Sequence, residues 1–474
     1  MNSTIKKNII YNFLYQILAI LLPLITTPYI SRVLGPTKIG EYSYAYAIAY
    51  YFVMLAMLGL NNYGNRTIAT VRDDKRQLSK EFCEIYIMQL SFGVVAIALY
   101  VVYGLFISNE SMTWILLLYV ASAMFDINWF FFGMEEFKIT VTGNAIIKLI
   151  TTVLIFIVVK EQADINKYAM IMVIGILTSQ IILWRYIGRY VYFCRVSYKD
   201  VLKHIKPNLI LFVPIVAISL YKVMDKIMLG AMTSKAEVGL YESSEKIIQI
   251  PMALIQSLGT VMLPKMTNLV AKHDSKTASS YFSNSIAFVM FLSSSMSFGI
   301  MGVARYFVPL YFGDGYQKCI VLFQVLLPSC VFLAVANVIR TQFLIPRKRD
   351  RVYIISVFLG AGLNFAVNFV LIPSLKSVGA AIGTLISEAV VCLYQMFVVR
   401  KDIAVFYYVR KSIVFVIAAI VMYGTIISLD FYGSDFFNLL THILIGALVY
   451  FGLVFADLFI LKTGYKIIKK YFKR

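Results

Sequence analysis

The sequence predicts an all-α protein that crosses a lipid membrane about fourteen times. Hydrophobic residues make up 60% of the 474 residues and charged residues only 14%, whereas soluble domains contain about 45–50% and about 25%. Too few charged side chains are present to cover two or three soluble domains, and the 15% aromatic content excludes a disordered chain. Apolar runs of about 20 residues follow one another along the chain, and a helix of that length crosses the hydrocarbon core.

The predicted helices, called spans 1 to 14, follow these apolar runs. They cover residues 9–31, 42–64, 83–107, 112–133, 139–160, 167–188, 208–230, 240–264, 280–303, 319–345, 352–373, 378–399, 409–429 and 437–460. Span 1 is longer than the apolar part of a signal peptide and lacks a small-x-small cleavage site, so we expect it to be retained. The loops between the spans are too short to hold a nucleotide-binding domain.

The positively charged residues predict the orientation of the spans. With the N-terminus in the cytoplasm, 30 of the 44 Lys and Arg residues fall in cytoplasmic segments, 8 in outer loops and 6 inside spans. This is the positive-inside pattern, and it predicts that both termini are cytoplasmic. It also explains the net charge of +20 without a nucleic-acid partner, because the charge follows one membrane face. The basic tail at 462–474 is either an orientation signal or a segment that lies on anionic headgroups.

One sequence pattern occurs twice and predicts an internal repeat. Each copy has Leu-Gly, a turn, and an aliphatic-Gly-x-Tyr sequence at the start of the next helix, at residues 34–42 and 229–241. Six spans per copy give both copies the same orientation, with an axis along the membrane normal. The predicted domains are an N-terminal lobe at 1–207, a C-terminal lobe at 208–401, and spans 13 and 14 with the basic tail at 402–474. The alternative is a chance similarity between helices that are rich in Gly and Tyr.

Three motifs carry a resemblance to a known family. Residues 28–42 contain Pro-Tyr-Ile-Ser-Arg-Val-Leu-Gly, then Ile-Gly and Tyr; residues 225–241 contain Asp-Lys-x-Met-Leu-Gly and Val-Gly-Leu-Tyr. Residues 364–384 contain Asn-x3-Asn, Pro and Gly-Ala-Ala-Ile-Gly-Thr. In this order and spacing the sequence resembles the bacterial flippases of O-antigen and capsule repeat units. These proteins belong to the multidrug/oligosaccharidyl-lipid/polysaccharide exporter superfamily.

The resemblance implies a V-shaped pair of six-helix lobes, plus two C-terminal helices, in the cytoplasmic membrane of a bacterium. It implies that undecaprenyl-diphosphate-linked oligosaccharide units move from the cytoplasmic to the outer leaflet by alternating access, without an ATPase. An ion gradient or the membrane potential would drive this movement. Membrane lipids, a polysaccharide polymerase and a chain-length regulator are the expected partners beside the lipid-linked substrate.

Cations inside or beside the predicted spans are candidates for the substrate site, because an ionisable group in hydrocarbon must face protein or water. The candidates are Arg32, Lys148, Lys222, Lys226 and Arg340. Lys and Arg can replace water around the oxygens of a lipid diphosphate, so these residues predict a cationic, water-filled cleft. The alternatives are internal ion pairs for the lysines and simple snorkelling for Arg32.

Three acidic residues in the spans, Asp126, Asp225 and Glu388, are candidates for coupling protons or sodium ions, or for charge pairing with a lysine. An inside-negative potential pushes an anion outward by about 2.3 kcal/mol per charge per 100 mV. A diphosphate could therefore be driven without a dedicated carboxylate. Asn364 and Asn368 are either sugar ligands or, as we expect, residues that hydrogen-bond between helices.

Two other classes of function fit the sequence less well. A membrane polymerase or acyltransferase needs an acid, base or nucleophile set, often in a large outer loop. The outer loops here are short, and no P-loop, HExxH or GxSxG motif is present. A cation-coupled drug antiporter of the same superfamily needs an acidic cavity, whereas basic residues match or outnumber acids in the spans. The five cysteines form no CxxC pair, and neither a metal nor a cofactor is predicted.

Overall fold

The computed structural model describes residues 3–429 and 433–457. Within these ranges, side chains are described at residue 18 and from residue 21 onward, except at 221 and 222. The predicted basic tail at 462–474 and the side chain of Lys222 therefore lie outside the described residues. Every regular element in the described ranges is helical, which confirms the predicted all-α fold.

Tertiary contacts divide the chain into two compact units, an N-unit of Met1–Gly239 and a C-unit of Leu240–Arg474. The helices that lie in the N-unit are α1 (Ser3–Met57), α2 (Leu60–Val71), α3 (Lys75–Phe106), α4 (Ser111–Ser122), α5 (Asn128–Gly133), α6 (Phe137–Val158), α7 (Ile165–Ile187), α8 (Tyr198–Lys222) and α9 (Met224–Met232). Helix α10 (Lys235–Ala271) begins in the N-unit and continues into the C-unit.

The remaining helices of the C-unit are α11 (Ser275–Phe312), α12 (Lys318–Leu326), α13 (Ser329–Ile339), α14 (Asp350–Leu375), α15 (Ser377–Val399), α16 (Val405–Ser428) and α17 (Asp435–Phe455). Short 3-10 turns occupy Ala123–Phe125 and Gln162–Asp164. A π-helical turn, Arg340–Leu344, continues α13.

Thirteen helical stretches of the described residues are long and apolar enough to cross a membrane. The first, Leu21–Val71, holds predicted spans 1 and 2 together, because α1 continues through a kink at Gly35. Gly35 has a φ of 72°, a left-handed conformation that glycine adopts without a steric penalty. Each of the fourteen predicted spans overlaps one of the thirteen stretches, and the chain is a multi-pass membrane protein.

Several predicted helix boundaries are wrong. Predicted span 7, 208–230, begins at Tyr198 and breaks at Val223 into α8 and α9. Predicted span 2, 42–64, breaks after Met57, where α2 follows α1. Apolar composition marks only the part of a helix that lies in hydrocarbon, so polar turns at its ends escape a hydropathy pattern.

Predicted spans 4 and 10 are interrupted as well. Helices α4 and α5 of span 4 are separated at residues 123–127, and helices α12 and α13 of span 10 at Leu327-Pro328. Each interruption frees backbone groups that need other partners inside a membrane. Discontinuous membrane helices often border transport sites for this reason.

The contact units differ from the domains predicted from the repeat, because α8 and α9, which form predicted span 7, lie in the N-unit. The division into 1–207, 208–401 and 402–474 rests on the repeated motif and stays a prediction. The V-shaped arrangement of lobes also stays a prediction.

Helices α16 and α17, predicted as an appended pair, pack on each other and on α11. Their common core includes Val303, Met422 and Tyr450. The Tyr450 hydroxyl donates to the carbonyl oxygen of Phe291 over 2.8 Å. Lipid tails are as apolar as these side chains, so close packing and hydrogen bonds hold such helices together.

Candidate functional site

The two copies of the repeated motif meet where α1 crosses the start of α10. A Cβ atom on Gly40 would overlap the backbone of Lys235, and one on Gly239 would overlap the backbone of Pro36. These two Cβ atoms would also lie 2.9 and 3.0 Å from the backbone nitrogen of the opposite glycine. Such a reciprocal contact is typical of two surfaces related by a two-fold axis. It supports the internal repeat, and it leaves no room for a side chain at either glycine.

Tyr44 of α1 fills the space beside this crossing. Its ring lies against Gly230 of α9, where a Cβ atom would overlap it. The Lys235 ammonium lies 2.9 Å from the centroid of the same ring, which is a cation–π contact. The Leu-Gly and Gly-x-Tyr parts of the motif therefore have packing roles: glycines make room for an aromatic side chain and for the neighbouring backbone.

A row of tyrosines follows one face of α1 at intervals of four residues, at Tyr42, Tyr46 and Tyr50. Tyr46 stacks on Tyr119 of α4, with ring centroids 4.7 Å apart and hydroxyl oxygens 3.0 Å apart. Tyr42 meets the ring of Tyr168 of α7 edge to face, at 5.1 Å. The row joins α1 to two other helices of the N-unit, and its helical spacing was the sequence signal that could have identified it.

The predicted cationic residues are divided between the two units. Arg32, Lys148, Lys222 and Lys226 belong to the N-unit, and Arg340 belongs to the C-unit. Arg32 is exposed, whereas Lys148 and Lys226 are half-buried. Each of these three described side chains contacts at least one other group. That the N-unit cations line a common cleft stays a prediction.

Arg340 is the first residue of the π-helical turn. Its Nη2 donates to Asn337 Oδ1 over 2.9 Å, and its Nη1 donates to the Tyr353 hydroxyl over 3.3 Å. Among the residues that the structure describes, Nε has no hydrogen-bond partner and no carboxylate lies within ion-pair distance of the guanidinium. The half-buried cation therefore keeps donors that can bind an anion.

Two further polar side chains beside this turn were not singled out from the sequence. Gln342 is fully buried, and neither of its amide atoms is hydrogen-bonded in the described part of the chain. The Arg347 guanidinium packs 4.0 Å from the Phe343 ring centroid, and its Nη1 likewise has no described partner. Burial lowers the pKa of Arg347, as expected for a cation held away from water. We call Arg340, Gln342 and Arg347 the arginine turn.

Asp126, predicted for ion coupling or charge pairing, lies in the break between α4 and α5. Its Oδ1 accepts hydrogen bonds from the backbone N–H and the side-chain amide of Asn128, at 3.0 and 2.7 Å. The first of these bonds satisfies one backbone N–H in the first turn of α5. Asp126 thus has a local structural role, and its part in ion coupling stays a prediction.

Three carbonyl groups at the same break accept hydrogen bonds from side chains of other helices. Gln89 of α3 donates to the carbonyl oxygens of Ala123 and Asp126, over 2.7 and 2.9 Å. Its own carbonyl oxygen accepts from the Trp129 indole over 3.0 Å. The Trp184 indole of α7 donates to the carbonyl oxygen of Phe125 over 2.9 Å.

The other two predicted acids are buried. Asp225 lies in the first turn of α9 with 1% exposure, and Glu388 lies in α15 with 5% exposure. Both contact other groups, and their roles in coupling or pairing stay predictions. On α14, Asn368 donates to Asn364 over 3.2 Å. A side chain on Gly383 of α15 would overlap Asn368, so this glycine allows α14 and α15 to pack closely.

A second buried polar group joins α2, α3 and α8 and was not predicted. We call it the His204 cluster; its members are Tyr63, Lys80, Glu81, Glu84, Asp200, Lys203 and His204. Glu81, Glu84 and His204 place possible ligand atoms within 4.8 Å of one another. The Lys203 ammonium already contacts both of these carboxylates, at 3.2 and 2.6 Å, and supplies a cation to the cluster.

The helical fold and the discontinuous spans are typical of polytopic membrane transporters. The sequence model described as "Polysaccharide biosynthesis protein" matches residues 5–270, and the model described as "Lipid II flippase MurJ" matches residues 140–444. Each match covers more than half of the chain. The chain therefore belongs to the polysaccharide biosynthesis protein family, and the resemblance predicted from its three motifs is confirmed.

Individual relatives and solved structures agree with this assignment. A protein of Escherichia coli (strain K12) named "Putative O-antigen transporter" is 22% identical over 411 residues, which are 84% of this chain and 97% of that protein. A lipid II flippase MurJ in an inward closed conformation superimposes with a TM-score of 0.74 at 17% identity, over 96% of this chain and 99% of that one. A multidrug resistance MATE family transporter, inward-facing, gives a TM-score of 0.60 at 14% identity, over 82% and 96%. At these identities the structural likeness shows a shared fold.

Proposed function

We propose that the chain is a flippase that moves undecaprenyl-diphosphate-linked oligosaccharide units from the cytoplasmic to the outer leaflet. Membership of the polysaccharide biosynthesis protein family supports this proposal, as do the names of the O-antigen transporter and lipid II flippase relatives. The membrane is the cytoplasmic membrane of a bacterium, with both termini in the cytoplasm. The distribution of basic residues along the sequence supports that orientation.

The observation that carries the proposal is the arginine turn. It lies at the end of span 10 that the charge pattern assigns to the cytoplasm, where a cytoplasmic diphosphate would be loaded. Among the described residues, neither Arg340 nor Arg347 has a carboxylate within ion-pair distance, and both keep an unused N–H donor. Unsatisfied polar groups in a buried setting are costly unless a ligand uses them. Planar guanidinium groups bind phosphate oxygens through paired N–H donors.

The proposed transport follows from these charges. The arginine turn receives the diphosphate, and the polyprenyl chain stays in lipid. Arg32, Lys148, Lys222 and Lys226 are the further substrate-binding cations that the sequence predicts. The two repeats rock about the substrate in alternating access. The membrane potential drives the anionic headgroup outward by about 2.3 kcal/mol per charge per 100 mV, alone or with an ion gradient.

A cation-coupled drug antiporter is the second candidate, because the chain shares its fold with a multidrug resistance transporter. Such a protein binds cations and needs accessible carboxylates. The arginine turn offers the opposite charge, which favours the anionic substrate. We do not propose an enzymatic activity. A polymerase and a chain-length regulator are proposed as partners, because they would use the translocated units.

Polymer export in a flippase-deficient bacterial strain tests the proposal. Arg340→Gln and Arg347→Gln should each reduce export about 10-fold to 100-fold, because each removes a charge-assisted contact of about 1.5–3 kcal/mol. Arg349→Gln is the matched control, since Arg349 is already paired with Asp402 at 2.6 Å, and it should export normally. Full export by the double variant at normal protein level would contradict the proposal. Drug resistance without polymer export would favour the antiporter.

A further inference from the structure

Two cysteines lie together where the segment between α7 and α8 runs along the first turns of α3. Cys83 belongs to α3, and Cys194 belongs to this segment, residues 188–197, which we call the connector. The two residues are 111 positions apart in the chain, and both have free thiols. Both lie in the N-unit. The fold therefore creates a pair of thiols that the sequence, without a CxxC motif, does not reveal.

Hydrogen bonds hold the connector on α3 at this point. The backbone N–H of Tyr192 donates to the Ser79 hydroxyl over 3.2 Å, and the Cys83 thiol donates to the Tyr192 carbonyl oxygen over 3.8 Å. The backbone N–H of Cys194 donates to Cys83 Sγ over 3.3 Å, and the Cys194 thiol donates to the Ser79 carbonyl oxygen over 3.7 Å. Ser79 lies one turn before Cys83 on the same helix, so both thiols lie beside the same turn of α3.

The positions of the two cysteines suit a disulfide. Because Cα lies about 1.5 Å from the backbone nitrogen, the Cα atom of Cys194 lies within about 5 Å of the Cys83 sulfur. A disulfide joins residues whose Cα atoms are about 4.4–6.8 Å apart. The Cys194 side chain is also within hydrogen-bonding reach of the Cys83 thiol. Rotation about the Cα–Cβ bond of Cys194 therefore brings the two sulfur atoms towards bonding distance.

The two thiols differ in their access to a reagent. Cys83 is 4% exposed, whereas Cys194 is only half-buried. Phe193, the neighbour of Cys194, is 67% exposed, so the connector is uncovered on that side. A reagent therefore reaches Cys194 first. An accessible thiol beside a second, resolving thiol is typical of redox-sensing pairs.

We propose that Cys83 and Cys194 form a redox-sensitive dithiol, which a low-molecular-weight disulfide converts to a disulfide bond that fastens the connector to α3. The Cys194 thiolate attacks the reagent RSSR, breaks its S–S bond, forms a mixed disulfide and releases RS⁻. The Cys83 thiolate then attacks Cys194 Sγ, forms the bond between the two cysteines and releases the second RS⁻. The protein loses two electrons and two protons, which appear in two molecules of RSH.

The location of the pair determines which state is the resting one. The charge pattern assigns the connector to the cytoplasm, where thiols are kept reduced. The dithiol is therefore the resting state, and the disulfide forms when oxidised thiols accumulate. Disulfides in that compartment are usually transient, catalytic or redox-sensing. Because the bond joins residues 111 positions apart, it restricts the unfolded chain and should raise the thermal midpoint.

Equimolar dithiodipyridine, a membrane-permeant disulfide, tests the pair in the full-length protein, since each RSH that it releases is a thiopyridone with a measurable absorbance. The wild type should release two thiopyridones per chain and lose two hydrogen atoms in mass, with the peptides of Cys83 and Cys194 joined. Cys83→Ser should release one and keep a mixed disulfide. Cys194→Ser should release none, because the thiols that remain are buried, those of Cys83, Cys319, Cys330 and Cys392.

Cys194→Ser combined with Phe193→Cys is the matched control. It keeps a thiol on the connector but moves it by one residue, to the exposed side. This variant should release one thiopyridone and form no bond to Cys83. A wild type that stops at the mixed disulfide, or a joined pair of peptides other than those of Cys83 and Cys194, would overturn the proposal.

Thermal unfolding tests whether the bond fastens the connector. The oxidised wild type should unfold several degrees higher than the reduced protein, and dithiothreitol should reverse the shift. Cys194→Ser should show the same thermal midpoint before and after the reagent. A disulfide that forms without raising the midpoint would contradict the fastening of the connector to α3.

Polymer export distinguishes this inference from the proposed function. The connector joins predicted spans 6 and 7, the last of one repeat and the first of the next, so fastening it should slow the rocking of the repeats; this consequence rests on the proposed function. In cells exposed to dithiodipyridine, export by the wild type should fall severalfold relative to Cys194→Ser. If no variant exports polymer while the disulfide still forms, the flippase function fails and the dithiol stands. Equal export by the oxidised wild type and Cys194→Ser would contradict the effect on transport.

Discussion

Two interrupted spans of this protein differ in how many of their polar groups lack a hydrogen-bond partner. At the break in span 4, the carbonyl groups of Ala123, Phe125 and Asp126 all receive side-chain hydrogen bonds. At the turn that ends span 10, Arg340 Nε and both amide atoms of Gln342 have no partner among the described residues. Backbone groups that a break in a membrane helix leaves unbonded must find hydrogen-bond partners within the protein. At the break in span 4 the freed groups have side-chain partners, whereas the π-helical turn that continues α13 at the end of span 10 keeps polar groups for a ligand.

The comparison teaches that a break is not by itself a sign of function. Both sites contain a charged residue that the sequence singled out, Asp126 in one and Arg340 in the other. The Asp126 carboxylate is used by the adjacent helix, at Asn128. The Arg340 guanidinium is only partly used, by Asn337 and Tyr353. One polar side-chain atom beside Asp126, Asn128 Oδ1, also lacks a described partner, whereas Arg340 Nε and both amide atoms of Gln342 lack one at the arginine turn. The two sites therefore differ in how much hydrogen-bonding capacity is unused.

Removing the side chain that repairs span 4 should give the largest effect on stability. Gln89→Leu leaves the Asp126 carbonyl group and the Trp129 indole without the Gln89 partner, at about 1–3 kcal/mol each, and leaves the Ala123 carbonyl group with only the 3.4 Å backbone bond from Asp126. We expect a loss of several kcal/mol, seen as a much lower thermal midpoint and poor accumulation in membranes. Gln180→Leu is the matched control, because Gln180 is 8% exposed and its Oε1 has no described partner. Gln180→Leu should be neutral or stabilising. Equal losses of stability in both variants would contradict the claim that the hydrogen bonds of Gln89 stabilise the break in span 4.

One substitution, Asn to Asp, should act differently at the break in span 4 and at the arginine turn. Asn337→Asp places a carboxylate 2.9 Å from Arg340 Nη2 and neutralises the arginine, so polymer export should fall about tenfold while the thermal midpoint is retained. Asn128→Asp removes the amide that lies 2.7 Å from Asp126 Oδ1 and sets two carboxylates against each other. It should cost about 1–3 kcal/mol of stability. Unchanged export by Asn337→Asp would show that the positive charge of Arg340 is not used.

The sequence could predict the helices because lipid imposes one simple rule, an apolar run of fixed length. It could also predict the repeat, because the same motif occurs in both copies. Gly40 and Gly239 occupy matching positions in that motif, where two backbones approach too closely for any side chain. It could not predict the His204 cluster. Tyr63, Glu84 and His204 are far apart in the chain, and only the docking of α8 on α2 and α3 brings them together.

The candidate site was predictable only in part, again for a physical reason. A charge inside an apolar run is conspicuous, which is why Arg340 was found. Gln342 and Arg347 are ordinary residues in a sequence that leads into a loop, and their significance depends on which hydrogen bonds the fold leaves unmade. Asp126 shows the opposite case. Its charge is easy to see in an apolar run of the sequence, but its hydrogen bonds with Asn128 can be seen only in the structure.

The smallest effect in this comparison should come from single indole hydrogen bonds. Trp184→Phe removes the bond to the Phe125 carbonyl but keeps an aromatic ring beside Tyr86, at a centroid distance of 4.7 Å in the wild type. Because this carbonyl lies within a span, water does not replace the lost donor, and unfolding should become easier by about 0.5–1.5 kcal/mol. Trp114→Phe removes an exposed bond to Asn109 in the loop before α4, where water can substitute, so its thermal midpoint should hardly move. If both variants lose the same stability, the break in span 4 is open to water, and its repair by side chains no longer distinguishes it from the arginine turn.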